Sequence, residues 1–513
     1  MRLIMTGLNR RAARALTSKL SAFRRDEEGS MIVFTLFILV LMLIVGGMAV
    51  DFMRFEARRT KLQGVVDRAV LAAADLDQVQ DSKAVVRDYF EKAGMLDQLK
   101  GEPIVTPGNN YREVTANGEL KMNTFFLKLI GMNQLSASAT STAVEGIGDI
   151  EISLIIDISG SMGYSLVNDD GSTPTMTDPN TGVTRAVTRM DRLQQAATNF
   201  VSTLLTNDNK DKISISLIPY SEHVNIGPNI FNNINTTAVH NFSHCVEFPA
   251  AAYSTTVFDT SATYTQVQHL QTNSEYNSSG NRINDITEPV CPFYSFERVT
   301  PLSQNATALN AQINALRPRA GTSIFLGLKW GVTLLDPSFK PVLNALPSNT
   351  IDAVFSDRPG TYSTSTSTSS GDTQKYVVLM TDGVNDRSWR LYDWAYDTPS
   401  ERAHWASENF PYYRATDLGW DSWNNWLYEH YNATIGDTHM AAMCTEAKSA
   451  ERNIILYTIS LGSSGDATTD EHGWTQLRNC ASSPNHFFKT SGQELVEIFE
   501  DIADQITDLR LTL

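Results

Sequence analysis

Met31 to Val50 is a run without a single charged side chain, and Thr35 is its one polar residue. A helix of that length spans about 30 Å, the thickness of bilayer hydrocarbon. Charges return from Asp51 to Gln63, and Val65 to Leu76 continues without Pro or Gly. The pattern therefore predicts one helix of roughly 45 residues, half apolar span and half stalk. Pro103 to Tyr111 breaks the chain. A strand (Tyr111 to Met122), a short helix (Thr124 to Ile130) and a second strand (Leu135 to Val144) are expected next.

Beyond residue 149 the rhythm changes. Ile- and Val-rich runs at Ile150 to Asp157, Ile213 to Tyr220, Tyr376 to Thr381 and Ile454 to Ser460 read as buried strands. An edge strand near Arg298 to Leu302 and a short last strand, Phe487 to Lys489, join them. Helical patterns occupy Asp191 to Leu205, Asn305 to Leu316, Ser323 to Leu335, Met440 to Arg452 and Gln493 to Thr507. Such alternation predicts an α/β fold with a doubly wound parallel sheet. Long insertions follow three strand ends: Gly163 to Val187, Ser221 to Glu297 and Val384 to Thr438. All three must crowd the carboxyl edge of the sheet. Thr361 to Ser370, nearly all Ser and Thr, reads as a surface loop. The expected organisation is a basic segment (1–30), a span (31–50), a helical stalk with a small α/β region (51–148), and the α/β domain (149–513).

Two of the buried runs end in aspartate. Ile152-Ser-Leu-Ile-Ile-Asp-Ile-Ser-Gly-Ser-Met162 carries Asp157, Ser159 and Ser161, and Val377-Val-Leu-Met-Thr-Asp-Gly383 carries Asp382. Thr322 opens the helix that starts at Ser323. A bare D-x-S-x-S string turns up by chance in roughly one chain in several. Here each piece sits where a strand or helix meets a loop at one sheet edge, so Asp157, Ser159, Ser161, Thr322 and Asp382 converge on one point. The bland alternative is ordinary strand-to-turn punctuation. All five donors are oxygens, which suits a hard cation: Mg²⁺ first, with Mn²⁺ or Ca²⁺ as alternatives. Two aspartates would just balance a doubly charged ion, so an incoming carboxylate is not repelled.

This constellation resembles the metal-ion-dependent adhesion site of von Willebrand factor A domains. The resemblance implies that these five residues hold the ion, directly or through water, and that an acidic partner residue completes its shell. A second resemblance lies upstream. Glu28-Gly-Ser-Met31, the apolar run, Ala49-Val-Asp51, Leu62-Gln63 and Val66 to Ala74 resemble the TadG-like proteins of Tad (tight adherence) pilus assembly, as does the closing Leu509 to Leu513. Such proteins join an N-terminal anchor to a von Willebrand A domain, and the small sheet after a long helix is a pilin-like plan. Prepilin substrates of that pathway carry Glu five residues after the cleaved Gly. Phe34 stands there after Gly29, so no pilin-type processing is expected.

The net charge of −16 over 513 residues, with a positive N-terminal segment, makes the rest more acidic still. That excludes a nucleic-acid surface. Basic residues before the span favour a cytoplasmic N-terminus with the rest exported through a bacterial inner membrane. Gly46-Gly47-Met48-Ala49 leaves signal cleavage as the alternative to a retained anchor. Residues 6–25 read as a basic amphipathic helix or a disordered tail. Cys245, Cys291, Cys444 and Cys480 allow three pairings. Cys245–Cys291 with Cys444–Cys480 is favoured, because each bond staples one local region. Trp389, Trp394, Trp405, Trp420, Trp423 and Trp426 crowd the third insertion, as an aromatic partner surface or as that insertion's own core. The chain lacks G-x-S-x-G, H-E-x-x-H and Walker loops, and no small-molecule substrate is expected. The function expected is a non-enzymatic, metal-dependent component binding pilus-assembly or envelope proteins. The rivals are a surface adhesin for host or matrix protein and a metal-assisted hydrolase.

Overall fold

The computed structural model describes residues 28–75, 78, 80–107, 111–146, 149–167, 171–177, 182–207, 209–274, 276, 280–363, 373–462 and 467–508. Residues 6–25, read as a basic helix or tail, most of the Ser/Thr loop and the closing Leu509 to Leu513 lie outside the described residues. The chain divides into two compact units, Met1–Gly146 and Ile147–Leu513.

The first unit is built on helix α1 (Glu28–Ala74). Its residues Met31 to Val50 are almost wholly unpacked, and the helix is long and apolar enough to cross a membrane. Farther along, Leu62, Val66, Ala69, Val70 and Ala73 form a buried stripe at helical spacing. Helix α2 (Ser82–Lys92) packs there through Val85, Val86 and Phe90, its start capped by the Asp81 carboxylate on the Ala84 N–H. Strands β1 (Ile104–Pro107), β2 (Tyr111–Asn123) and β3 (Gln134–Gly146) make an antiparallel sheet in that order. β2 and β3 pair without interruption from Tyr111↔Gly146 to Asn123↔Gln134. The sequence assigned no element to α2 or β1. The expected helix at 124–130 is only a 3₁₀ turn, Leu127–Ile130, ended by Gly131 at φ 90°.

The second unit contains β4 (Ile150–Asp157), α3 (Arg189–Leu204), β5 (Ile213–Tyr220), β6 (Thr300–Ser303), α4 (Ala306–Ala315), α5 (Ile324–Leu335), β7 (Gln374–Thr381), α6 (Ala433–Ala447), β8 (Ile455–Leu461), α7 (Ala467–Cys480), β9 (Phe487–Thr490) and α8 (Leu495–Asp508). Sheet order is β6-β5-β4-β7-β8-β9, parallel except for edge strand β6. This is a doubly wound fold, and strand order reverses between β4 and β7. Side chains alternate along β4. Ile152, Leu154 and Ile156 face α3, α4 and α8; Ile155 faces α5. Gly327 and Gly331 let α5 approach closely: a Cβ at Gly327 would lie 2.7 Å from the Tyr220 ring.

Two elements depart from expectation. α6 begins well before Met440, because the Asn432 side chain accepts the Ile435 N–H and starts the helix there. α7 was not foreseen, and its His472 meets Asp437 of α6 at 2.7 Å. Disulfides join Cys245 to Cys291 and Cys444 to Cys480.

The second and third insertions share a core. Cys245, Val267, Leu270, Val290 and Cys291 pack with Leu391, Trp405, Phe410 and Leu427. Trp389, Trp423 and Trp426 lean on that core, while Trp394 and Trp420 are 58% and 52% exposed. Arg390 crosses to Glu247 at 2.7 Å, and the Tyr431 hydroxyl donates to the other oxygen of Glu247 at 2.7 Å. Two imidazoles are held neutral here, His269 buried and His240 half-buried. The Gln266 amide donates to His240 Nδ1 at 3.1 Å, and His240 Nε2 donates to the Val267 carbonyl at 2.9 Å. A protonated Nδ1 would face a donor. Burial lowers His240 to about 4 and His269 to about 3.

Two outcomes follow from this packing. Gly327→Ala has the better helix former, yet it should destabilise the second unit by about 1–3 kcal/mol through overpacking on Tyr220, read by urea unfolding. Both imidazole pKa values are depressed on folding. The contribution of these two rings is therefore full above pH 6.5 and is lost as pH drops toward 4, by up to roughly 1.4 kcal/mol per pH unit for each ring. The double variant His240→Gln/His269→Gln should lose less stability than the parent between pH 7 and pH 5. An unchanged slope would assign the acid sensitivity elsewhere.

Candidate metal centre

β4 and β7 are adjacent, with Ile156 opposite Met380. Their ends therefore bring Asp157 and Asp382 side by side at the switch point. Both carboxylates are buried. Asp157 accepts the Ser159 N–H at 2.7 Å on one oxygen and the Thr381 hydroxyl at 2.6 Å on the other. The Tyr220 hydroxyl, 3.2 Å from the Met380 carbonyl, roofs the same carboxylate. Ser159 Oγ lies 3.0 Å from Ser161 Oγ, which donates to Asp382 at 2.7 Å. Thr322 is buried on the third loop, tied in through the Asp386 N–H to its carbonyl at 2.8 Å. The Gly160 N–H donates to the Ala320 carbonyl at 2.9 Å, joining the first loop to the third. Ala320 itself is held at φ 58°, a strained conformation for a residue with a Cβ.

The donor set fits a hard cation. Neighbouring ligands around an octahedral Mg²⁺ at 2.0–2.1 Å stand about 2.9 Å apart. Ser159, Ser161 and Asp382 already hold oxygens at that spacing. Burial raises both carboxylates above their usual range, and the charge of Asp382 helps push Asp157 to about 7. Beside Thr322 the hydroxyls of Ser221 and Ser323 are buried without a hydrogen-bond partner. Among the described residues no cluster of three or more His, Cys, Asp or Glu forms an alternative metal site.

One residue changes the charge count. Arg189, the first residue of α3, donates to Asp382 at 2.7 Å and is buried with it. Gly462 makes room: a Cβ there would come within 2.9 Å of the guanidinium. The expectation that two aspartates alone balance the ion is therefore corrected, because Arg189 cancels one of them. A sequence signal existed. Arg189 follows the helix-capping Thr188, where the helix dipole disfavours a cation. Glu222 was also missed. It is buried, accepts the Ser388 hydroxyl at 2.7 Å, and with Asp386 flanks Gly321. Burial raises its pKa. Arg189 also lines a cavity of about 460 Å³ with Leu166, Trp474, Lys489 and Glu494.

Among solved structures, the von Willebrand domain of the type V pilus tip protein Mfa5 from Porphyromonas gingivalis is 14% identical, covering 70% of this chain and 96% of that one at a TM-score of 0.33. The adhesive tip pilin GBS104 from Streptococcus agalactiae is 11% identical, covering 70% and 100% at 0.32. The pilus adhesin SpaC from Lactobacillus rhamnosus GG is 13% identical, covering 79% of this chain but only 33% of its own, at 0.29. No curated protein matches. Residues 29–76 match the family described as putative Flp pilus-assembly TadE/G-like. The chain thus carries a TadE/G-like segment at residues 29–76, followed by a doubly wound α/β unit.

Proposed function

We propose that this chain is a membrane-anchored, metal-dependent binding component that assists assembly or anchoring of Flp-type pili. The TadE/G-like segment supplies the pilus context. The observation that carries the metal half is the set of hydroxyl and carboxylate oxygens already spaced as edges of one coordination shell. The apolar part of α1 supports an anchor, and two formed disulfides suit an oxidising compartment for the second unit. Mg²⁺ would be held by Asp157, Ser159, Ser161, Thr322 and Asp382, and would supply a Lewis-acidic position for a partner's carboxylate. With Arg189 paired to Asp382, the donor set has one net negative charge. The loaded site is then net positive, which attracts an acidic partner residue. Catalysis is disfavoured, because Glu222 is engaged by Ser388 and Asp157 by Ser159 and Thr381, leaving neither poised as a water-activating base.

Calorimetry with Mg²⁺ on the full chain in detergent tests the site, beside pilus counts in a complemented deletion strain. Asp157→Asn should weaken metal binding by at least the 10- to 100-fold typical of lost outer-shell support, and reduce piliation in step. Normal metal binding would show the site misassigned; lost metal with full piliation would make the ion irrelevant to assembly. Arg189→Met leaves two buried carboxylates uncompensated. The metal-free protein should lose about 3–5 kcal/mol of stability. Saturating Mg²⁺ should restore most of it, and the metal should bind more tightly than to the parent. Equal melting temperatures without metal would remove Arg189 from the charge balance.

A further inference from the structure

The turn between β2 and β3 has the opposite polarity from a solvated loop. Phe125 is 66% and Leu129 70% exposed, and Phe126, Ile130 and Met132 are exposed beside them. Leu127 alone points inward. Five large apolar side chains on one short turn are costly in water.

Its height along α1 is fixed by contacts. The Phe126 ring lies against Gly47, where a Cβ would come within 2.3 Å of it. Gly47 is inside the apolar run, about 4.5 Å short of its end at Val50. One turn later, the Asp51 carboxylate accepts the N–H groups of Phe125, Phe126 and Leu127 at 2.7–3.1 Å. Four further backbone hydrogen bonds close the turn. Thr124 pairs with Asn133, Leu129 with Phe126, Gly131 with Lys128, and Met132 with Leu127. A backbone paired in this way tolerates an apolar medium, and a water-exposed loop has no need of it. Two cations stand at the rim. Lys128 is exposed, and the Arg54 guanidinium lies 4.3 Å from the centre of the Phe125 ring. Both carry the charge that a lipid phosphate would pair with.

We propose that residues 125–132 form a second membrane contact, a hydrophobic turn seated in the headgroup layer of the leaflet from which α1 emerges. The inference rests on the reading of Met31 to Val50 as a span. A side chain packed on Gly47 must share its depth. Lipid is favoured over a protein partner because the patch is continuous with exposed Val50, Phe52 and Met53 on the helix itself. The turn would fix the tilt and rotation of α1, which a lone helix leaves free.

The test uses the full chain in phosphatidylethanolamine/phosphatidylglycerol vesicles. The four native cysteines are paired, so single cysteines at Leu129→Cys, Val40→Cys and Thr142→Cys take an environment-sensitive fluorophore selectively. All three positions are exposed, so the fold tolerates them. Expected is quenching of the probe at 129 by lipids doxyl-labelled near the headgroup, with iodide quenching severalfold weaker than at 142. The probe at 40 should respond to deep doxyl labels. A probe at 129 open to iodide while 40 is embedded overturns the proposal alone. Both open to iodide overturns the span as well. A probe at 129 shielded from iodide but blind to lipid quenchers assigns the patch to protein contact and overturns the lipid reading.

Discussion

Two carboxylates buried side by side at the ends of neighbouring parallel strands are the constraint around which the second unit is arranged. Neither Asp157 nor Asp382 can be dehydrated unless hydrogen bonds and a cation compensate it. The surrounding features each answer part of that demand. Thr381 and the Ser159 N–H satisfy Asp157, Ser161 satisfies one side of Asp382, and Arg189 satisfies the other. Gly462 gives up its side chain so that the guanidinium fits. The Thr188–Asp191 capping box fixes the helix end that carries Arg189. Even the tight seating of α5 contributes, because Gly327 lets Tyr220 stand where its hydroxyl meets the end of β7.

The insertions crowd the same edge, but they bring their own stability. A disulfide staples the second insertion, and a shared aromatic core and the buried Arg390–Glu247 pair make the second and third insertions one body. Four of the six insertion tryptophans serve that core, leaving Trp394 and Trp420 on its outside. Rigidity of this kind lowers the entropy lost when a surface is recognised.

The sheet was legible in the sequence because its central strands are buried on both faces. Continuous apolar runs such as Ile150 to Asp157 admit few other readings. The convergence of Asp157, Ser159, Ser161 and Asp382 was legible for the same reason, since each lies at or just past the end of such a run. What escaped was held by contacts the local pattern does not encode. α2 is short, and most of its stability comes from Phe90 and Val86 docking on α1. α6 was placed too late because its start depends on one asparagine cap. Arg189 lies 193 residues from its carboxylate, a partnership visible only once the strands are laid side by side. Glu222 sits inside an insertion, where no periodicity marks it.

The long uninterrupted ladder between β2 and β3 also has a mechanical meaning. β2 descends alongside α1, from Arg112 bonded to the Asp75 carbonyl down to the Asp51 carboxylate beside Phe125. β3 then climbs back to Gly146, where the first unit ends. A pull on Gly146 against the start of α1 would therefore run along β3. It loads every pair from Tyr111↔Gly146 to Asn123↔Gln134 in shear at once, and does not peel them one by one. Resistance to such a load is set by the rate of unfolding, not by equilibrium stability. The small sheet of the first unit is thereby shaped to carry tension along the length of α1 without opening.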